Sequence, residues 1–322
     1  MCSKNRVSEA GFIPLRPLPK GGTIGVFGPS SPVEAEKLER GIRYLESLGY
    51  RIETTPSCYA SMAYLAGTGR ERAADLMSLV SRPDIDAIFC TRGGFGALMM
   101  LPHLNYAEIR RQRKILLGFS DVTALHWGIY ARCGLPGISA GMVGTDLSYM
   151  ERNPEFEASF WALLESGHIK ITFPGPDRPS PTVREAHGTA MPGTMSVAAM
   201  LLGSRYFPDL RGCIPILEDV NEQRHKLEAY LQQLRLGGHF DAIEAVILGY
   251  FSPAPQEEYP ERPSLNEVFG RAFGGLPQHV EVLKGLSYGH IPNKISLPAG
   301  VPISVSWKEH AVLKTRHCIF ES

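Results

Sequence analysis

The 322 residues contain no C-x-x-C pair, no H-E-x-x-H and no comparable spacing of metal ligands, so zinc knuckles, metalloprotease sites and dithiol redox motifs are not expected. The six cysteines stand far apart, at positions 2, 58, 90, 133, 213 and 318, which argues against a disulfide scaffold and for a reducing compartment. Nowhere do about 18 apolar residues run uninterrupted, and the first residues, Met1 to Ala10, lack an apolar h-region. An unexported cytoplasmic protein is expected, with no membrane partner and no lipidation of Cys2. Charge of one sign is also missing: 33 Lys and Arg balance 33 Asp and Glu, scattered along the chain, which disfavours nucleic acid as a partner. The 33 glycines and 25 prolines fall short of low complexity, and 43% hydrophobic residues is the content of an ordinary globular chain. No internal repeat is present.

At about 150 residues per domain, this length predicts two domains. The first half alternates short apolar runs with amphipathic segments of helical length. Strands are predicted at Thr23 to Phe27, Arg51 to Thr54, Ala87 to Cys90 and Ile115 to Leu117. Helices are predicted at about Val33 to Leu48, Gly69 to Val80, Phe95 to Leu101 and Asp121 to Ala131. Repeated βα units of this kind predict an α/β domain with a parallel sheet of Rossmann or flavodoxin-like type over residues 1–173. The proline-rich stretch 174–182 reads as a linker. Residues 183–322 then form a smaller α+β domain with a more antiparallel sheet, including helices near Thr194 to Leu202 and Gln223 to Leu234 and strands Ile214 to Leu217, Ala245 to Leu248 and Ile303 to Trp307.

Ligands of parallel sheets bind beyond the carboxyl ends of the strands, which directs attention to three loops: Gly28 to Pro32, Thr91 to Gly96 and Gly118 to Asp121. In the last, an apolar strand runs through Gly118 and Phe119 into Ser120 and a helix, the order of a nucleophile elbow. G-x-S-x-G would require glycine where Val122 stands, and an N-cap is the competing role for Ser120. A serine nucleophile needs a base. Among ten histidines, His290 stands in an irregular loop bracketed by Gly289 and Pro292, whereas His126 and His225 fall on helices. A carboxylate completing such a set is expected at a strand end, where Glu218 terminates the apolar run Ile214 to Leu217; Asp219 and Glu222 compete with it, as does a plain role for all three as solvated acids at a helix start.

Tyr64 to Thr68 with Glu71 to Leu76, Cys90 to Gly96, Gly118 to Asp121, Leu217 to Val220 and Gly289-His290 resemble, in order and across nearly the whole chain, the signatures of the LD-carboxypeptidase family of serine peptidases. The resemblance implies Ser120 as nucleophile, Glu218 as orienting acid and His290 as general base, at an interface between the domains. It implies an oxyanion hole from backbone N–H groups of Asp121 and the Gly93-Gly94 turn, Gly94 in particular, and a homodimer. Two segments depart from the family pattern: Met191 to Met195 stands where Gly-Gly-Asn-Leu is common, and Asn221 to Lys226 where Gly-Glu-x-x-Tyr-Arg is common.

The function expected on this basis is removal of the terminal D-alanine from murein tetrapeptides, free or UDP-linked, by a serine carboxypeptidase that needs no metal or other cofactor. The alternative within the family is a microcin-type immunity hydrolase of peptidyl or aminoacyl nucleotides. Outside it stand a non-catalytic binding module that holds an anion at Gly28 to Ser31, and an amidotransferase-like enzyme with Cys90 as nucleophile.

Overall fold

The computed structural model describes residues 11–177, 179–254 and 263–321; Cys2 lies outside them. The chain opens with β1 (Thr23–Phe27), α1 (Ala35–Ser47), β2 (Arg51–Thr54), α2 (Gly69–Ser81) and β3 (Ala87–Cys90). It continues through α3 (Tyr106–Gln112), β4 (Ile115–Gly118), α4 (Thr123–Cys133), β5 (Gly137–Ser139) and α5 (Pro154–Ser166). Every residue of β1, β3 and β4 is buried, as strands covered on both faces must be. Helix starts follow local chemistry. Thr68 and Glu71 close a capping box on α2, and Asn105 and Asn153 accept from the first turns of α3 and α5.

The second half comprises β6 (Lys170–Phe173), β7 (Gly175–Pro176), β8 (Arg184–Thr194), α6 (Met195–Met200), β9 (Cys213–Glu222), α7 (Arg224–Leu236) and β10 (Ala245–Pro253). It ends with α8 (Leu265–Phe273), β11 (Glu281–Lys284), β12 (Leu297–Ala299), β13 (Val301–Trp307) and β14 (Ala311–Thr315).

Two sheets result, with strand orders β12-β5-β4-β3-β1-β2 and β6-β14-β13-β8-β9-β10-β11-β7. The first is parallel except where β12 runs against β5. The second is mixed: β8, β9, β10 and β11 are mutually parallel, and the four outer pairings are antiparallel.

Four details differ from the sequence expectation. The helix expected from Phe95 is a 3₁₀ segment, Ala97–His103, because Gly94 and Gly96 turn the chain at φ of 117° and 115° and Pro102 interrupts regular bonding. The stretch expected as a linker borders and enters the second sheet: β6 pairs with β14, and β7 with β11, where prolines are tolerated because β7 is an edge. Strand β8 escaped prediction because Gly188, Pro192 and Gly193 interrupt its pattern. Pro192 fits because β13 pairs only as far as Ala190, leaving one side of the strand free of a ladder. Finally, β9 does not stop at Leu217 but runs on to Glu222, carried by continued pairing to β10 across a bulge between Leu248 and Phe251.

The path from β11 to β12 decides where the site forms. After β11, in the second sheet, the chain crosses over to the first and adds β12 beside β5, pairing Leu297 with Ser139. The segment Gly285 to Ser296 is thereby drawn over the carboxyl end of β4.

Candidate active site

Ser120 follows β4 with φ of +64°, in the left-handed region that a non-glycine residue adopts at a cost of about 1–3 kcal/mol. It begins a single 3₁₀ turn, Ser120–Val122, ahead of α4, and the N-cap positions of the turn and of the helix are held by Phe119 and Val122. The N-cap role is therefore not the one adopted. The turn is tight enough to require glycine opposite it: a Cβ on Gly93 would lie 2.8 Å from Ser120 Cβ and 3.2 Å from the backbone nitrogen of Asp121. Gly118 meets Val122 at the corresponding 2.8 Å, so Val122 is accommodated by a glycine four residues earlier.

His290 stands with Nε2 3.0 Å from Ser120 Oγ and Nδ1 2.8 Å from Glu218 Oε2. The imidazole side chain is 24% exposed and the Glu218 side chain 0%. Within β9, Glu218 and Asp219 point to opposite sides, as successive strand residues must. Asp219 accepts from the backbone N–H of Ser196 at 2.7 Å and from its hydroxyl at 3.1 Å, and burial, reinforced by the neighbouring Glu218, pushes its carboxyl up to about 6. Glu222 instead accepts from Tyr230 OH at 2.8 Å. Of the three acids, Glu218 is the one brought to His290. Both Glu218 and Asp219 are buried, not solvated.

The imidazole is held from several sides. The Phe119 ring lies 4.7 Å from it, and Tyr288 meets Phe119 edge-on while bonding Ser139 Oγ at 2.8 Å. Lys294 sits 4.6 Å over the same Phe119 ring and pairs with Asp146 at 2.6 Å, fastening the His290 loop to the first half of the chain. Asn293 adds a hydrogen bond to Glu155 at 3.0 Å, and the Asn153 amide donates to Pro292 O. Burial pushes the Asp146 carboxyl up, but Lys294 and the donors Met142 N–H and Thr145 hydroxyl outweigh it and hold the group below its ordinary value. Residue patterns drew no attention to Lys294 or Asp146 and gave Phe119 no role beyond its place in the elbow, because their partners lie far away in sequence.

The Gly93-Gly94 turn is braced by the loop after β1. Ser31 Oγ accepts from Phe95 N–H at 3.2 Å, and its backbone N–H reaches Gly93 O at 3.4 Å. Ser30 donates at 2.6 Å to the buried Asp121 carboxylate, which also accepts from Ala97 N–H at 2.8 Å. Burial raises the Asp121 pKa against these donors and the nearby Arg72. Arg72, wholly buried, donates to Pro29 O, Gly67 O and Gly96 O. Of the backbone N–H groups that would hold an anion at Gly28 to Ser31, that of Gly28 donates to Ser57 Oγ at 3.0 Å and that of Ser31 to Gly93 O at 3.4 Å. Arg92 likewise bonds Pro32 O, at 3.1 Å.

Cys90 lies beneath the turn, fully buried, and burial pushes its thiol well up, the opposite of nucleophile activation. His126 is buried on α4 against Leu116 O at 3.2 Å, and burial pulls its imidazole down to about 4, so it is neutral and structural at pH 7. His225 stands in the first turn of α7. Among the described residues no group of three or more His, Cys, Asp or Glu is arranged to hold a metal, and no helix is long and apolar enough to cross a membrane.

This strained serine, imidazole and buried carboxylate are the groups that acyl transfer through a covalent serine intermediate requires. Two family models match the chain: the LD-carboxypeptidase N-terminal domain over residues 24–140 and the LD-carboxypeptidase C-terminal domain over residues 187–305. A putative carboxypeptidase of Streptomyces coelicolor is 33% identical over 297 residues, covering 88% of this chain and 90% of its own. The chain belongs to the LD-carboxypeptidase family. It is a serine peptidase with the two-domain architecture of that family. The murein tetrapeptide carboxypeptidase of Pseudomonas aeruginosa is 30% identical over 293 residues, covering 88% of this chain and 92% of its own. Among solved LD-carboxypeptidase relatives, the microcin C7 self-immunity protein MccF in complex with aspartyl sulfamoyl adenosine superposes with a TM-score of 0.83 at 25% identity, over 96% of this chain and 100% of that one.

Proposed function

We propose that this LD-carboxypeptidase removes the terminal D-alanine from murein tetrapeptides by hydrolysing an L,D peptide bond, in the cytoplasm, as a step in cell-wall recycling. The observation that carries the reading is the hydrogen-bonded line from Ser120 Oγ through His290 to Glu218, at 3.0 and 2.8 Å, with the serine in a strained elbow. Similarity to a relative named murein tetrapeptide carboxypeptidase supports the substrate class.

In this mechanism His290 Nε2 takes the proton of Ser120 as Oγ attacks the carbonyl carbon of the scissile bond. Glu218 holds the tautomer with the proton on Nδ1 and stabilises the imidazolium that forms. The tetrahedral oxyanion is met by backbone N–H groups of Asp121 and Gly94; Gly93 lets the turn approach Ser120, Ser31 Oγ steadies that turn by accepting from Phe95 N–H, and Ser30 donates to the Asp121 side chain. His290 then gives its proton to the leaving D-alanine nitrogen. Water, deprotonated by the same imidazole, hydrolyses the ester and restores Ser120.

A second reading is favoured by the likeness to the MccF structure that holds an aminoacyl sulfamoyl nucleoside: hydrolysis of a peptidyl or aminoacyl nucleotide by the same groups. Mass spectrometry of products separates the two. Incubation with murein tetrapeptide should release one D-alanine and leave a tripeptide, with L,L-terminated peptides and aminoacyl nucleotides untouched. Ser120→Ala should lower kcat by about 10⁴- to 10⁶-fold while leaving thermal unfolding unchanged. Turnover of the nucleotide conjugate alone would replace the first reading by the second, and a Ser120→Ala variant within tenfold of wild type would remove both.

A further inference from the structure

Thr194 stands in one of the two segments that depart from the family pattern, and the mechanism above leaves it without a role. It is buried at the junction of β8 and α6, paired in register with Glu218 on the adjacent parallel strand. Its hydroxyl donates to Glu218 Oε1 at 2.5 Å, the oxygen that does not face His290. Its backbone N–H donates to the side-chain oxygen of Thr123 at 3.0 Å, and Thr123 is the first residue of α4, three positions after Ser120. Ser120, His290, Glu218, Thr194 and Thr123 therefore close a ring of contacts that passes between the two halves of the chain twice.

A fully buried carboxylate in this environment has two requirements: a donor for each oxygen, and a fixed plane so that the oxygen facing His290 stays in line with Nδ1. Thr194 meets both. Its own position is set by the Thr123 bond at the start of the helix that follows the serine. Gly289 leaves Glu218 Oε2 uncrowded, since even a Cβ there would come within 3.2 Å.

We propose that Thr194 is a positioning residue: its hydroxyl holds the Glu218 carboxylate in the orientation that serves His290, and its backbone ties that orientation to the helix behind Ser120. This inference rests on the Ser120, His290 and Glu218 reading. Thr194→Val removes the hydroxyl at nearly constant volume and should lower kcat by about 10- to 100-fold, the worth of one hydrogen bond to a charged group, with KM within about twofold. Thr194→Ser restores the donor and should return kcat to within about threefold of wild type.

The decisive arm is a double-mutant cycle on the residual activity of Glu218→Gln. If Thr194 acts through the carboxylate, adding Thr194→Val to Glu218→Gln should change kcat by less than about twofold. A Thr194→Val enzyme with wild-type kcat, or one losing as much in the Glu218→Gln background as alone, overturns the inference. Should the valine variant fail to fold on thermal unfolding, Thr194→Cys, of similar size and with a weak donor, is put through the same cycle and judged by the same outcomes. If Ser120→Ala remains active, the triad reading falls and this inference with it. If Ser120→Ala and Glu218→Gln are silenced while Thr194→Val turns over as wild type, only the role of Thr194 falls.

Discussion

Burial gives neighbouring acids different duties. Glu218 faces an imidazole and a hydroxyl, whereas Asp219, one residue on, faces the backbone of α6 and has its carboxyl pushed up to about 6. An acid whose folded pKa exceeds its unfolded value of about 3.9 binds its proton more tightly in the folded state. Its stabilising contribution is therefore complete below about pH 4 and declines as pH rises through about 6. Asp219→Asn keeps an acceptor for Ser196 and removes that titration. Urea denaturation of both proteins at pH 4 and pH 7 should show the wild type losing ground to the variant by on the order of 2–3 kcal/mol across the interval. A pH-independent difference would mean that Asp219 does not titrate there.

Strand-end turns, more than helices, set the geometry of the site. The elbow after β4 and the glycine turn after β3 are in van der Waals contact, and the loop after β1 braces the first through Ser30, bonded to Asp121, and the second through Ser31. Gly93→Ala places a methyl 2.8 Å from Ser120 Cβ and 3.1 Å from Oγ, so one of the two turns must shift. A displacement of about 1 Å at a nucleophile costs on the order of 100-fold in rate. Steady-state kinetics should show a fall of that size in kcat, with thermal unfolding little changed because no core side chain is lost. Retention of wild-type kcat would show that the turns are not coupled. Much of this was legible locally: the Gly118 to Asp121 order, the Gly93-Gly94 pair and the serines after β1 each stood out. Their mutual contact was not, since residues 30, 93 and 120 meet only through strand order.

At the scale of the molecule, the site depends on the crossing of Gly285 to Ser296 from the second sheet to the first. Lys294 anchors that crossing through a buried pair with Asp146, the two side chains being 7% and 17% exposed. Removing one member of a buried ion pair typically costs about 3–5 kcal/mol, since the other is left uncompensated. Lys294→Met should therefore lower stability by about 3 kcal/mol in chemical denaturation and reduce kcat through a loosened His290 loop. Adding Asp146→Asn should recover most of the stability. If the double variant is no more stable than the single one, the pair is not what holds the crossing.

The sequence by itself determined the βα rhythm of the first half, because buried strands and amphipathic helices carry their periods locally, and it marked Ser120, Glu218 and His290 through glycine, proline and strand-end context. It did not determine which acid faces His290. Tertiary structure decided that, by extending β9 past Leu217 through pairing with β10 and so fixing the parity of Glu218 against Asp219. It also decided that the stretch read as a linker borders the second sheet and that β12 leaves its neighbours to join the first. Thr123, Thr194 and Lys294 escaped for the same reason. A residue pattern records the preferences of a segment, while the partner that completes a hydrogen bond or an ion pair is chosen by strand order.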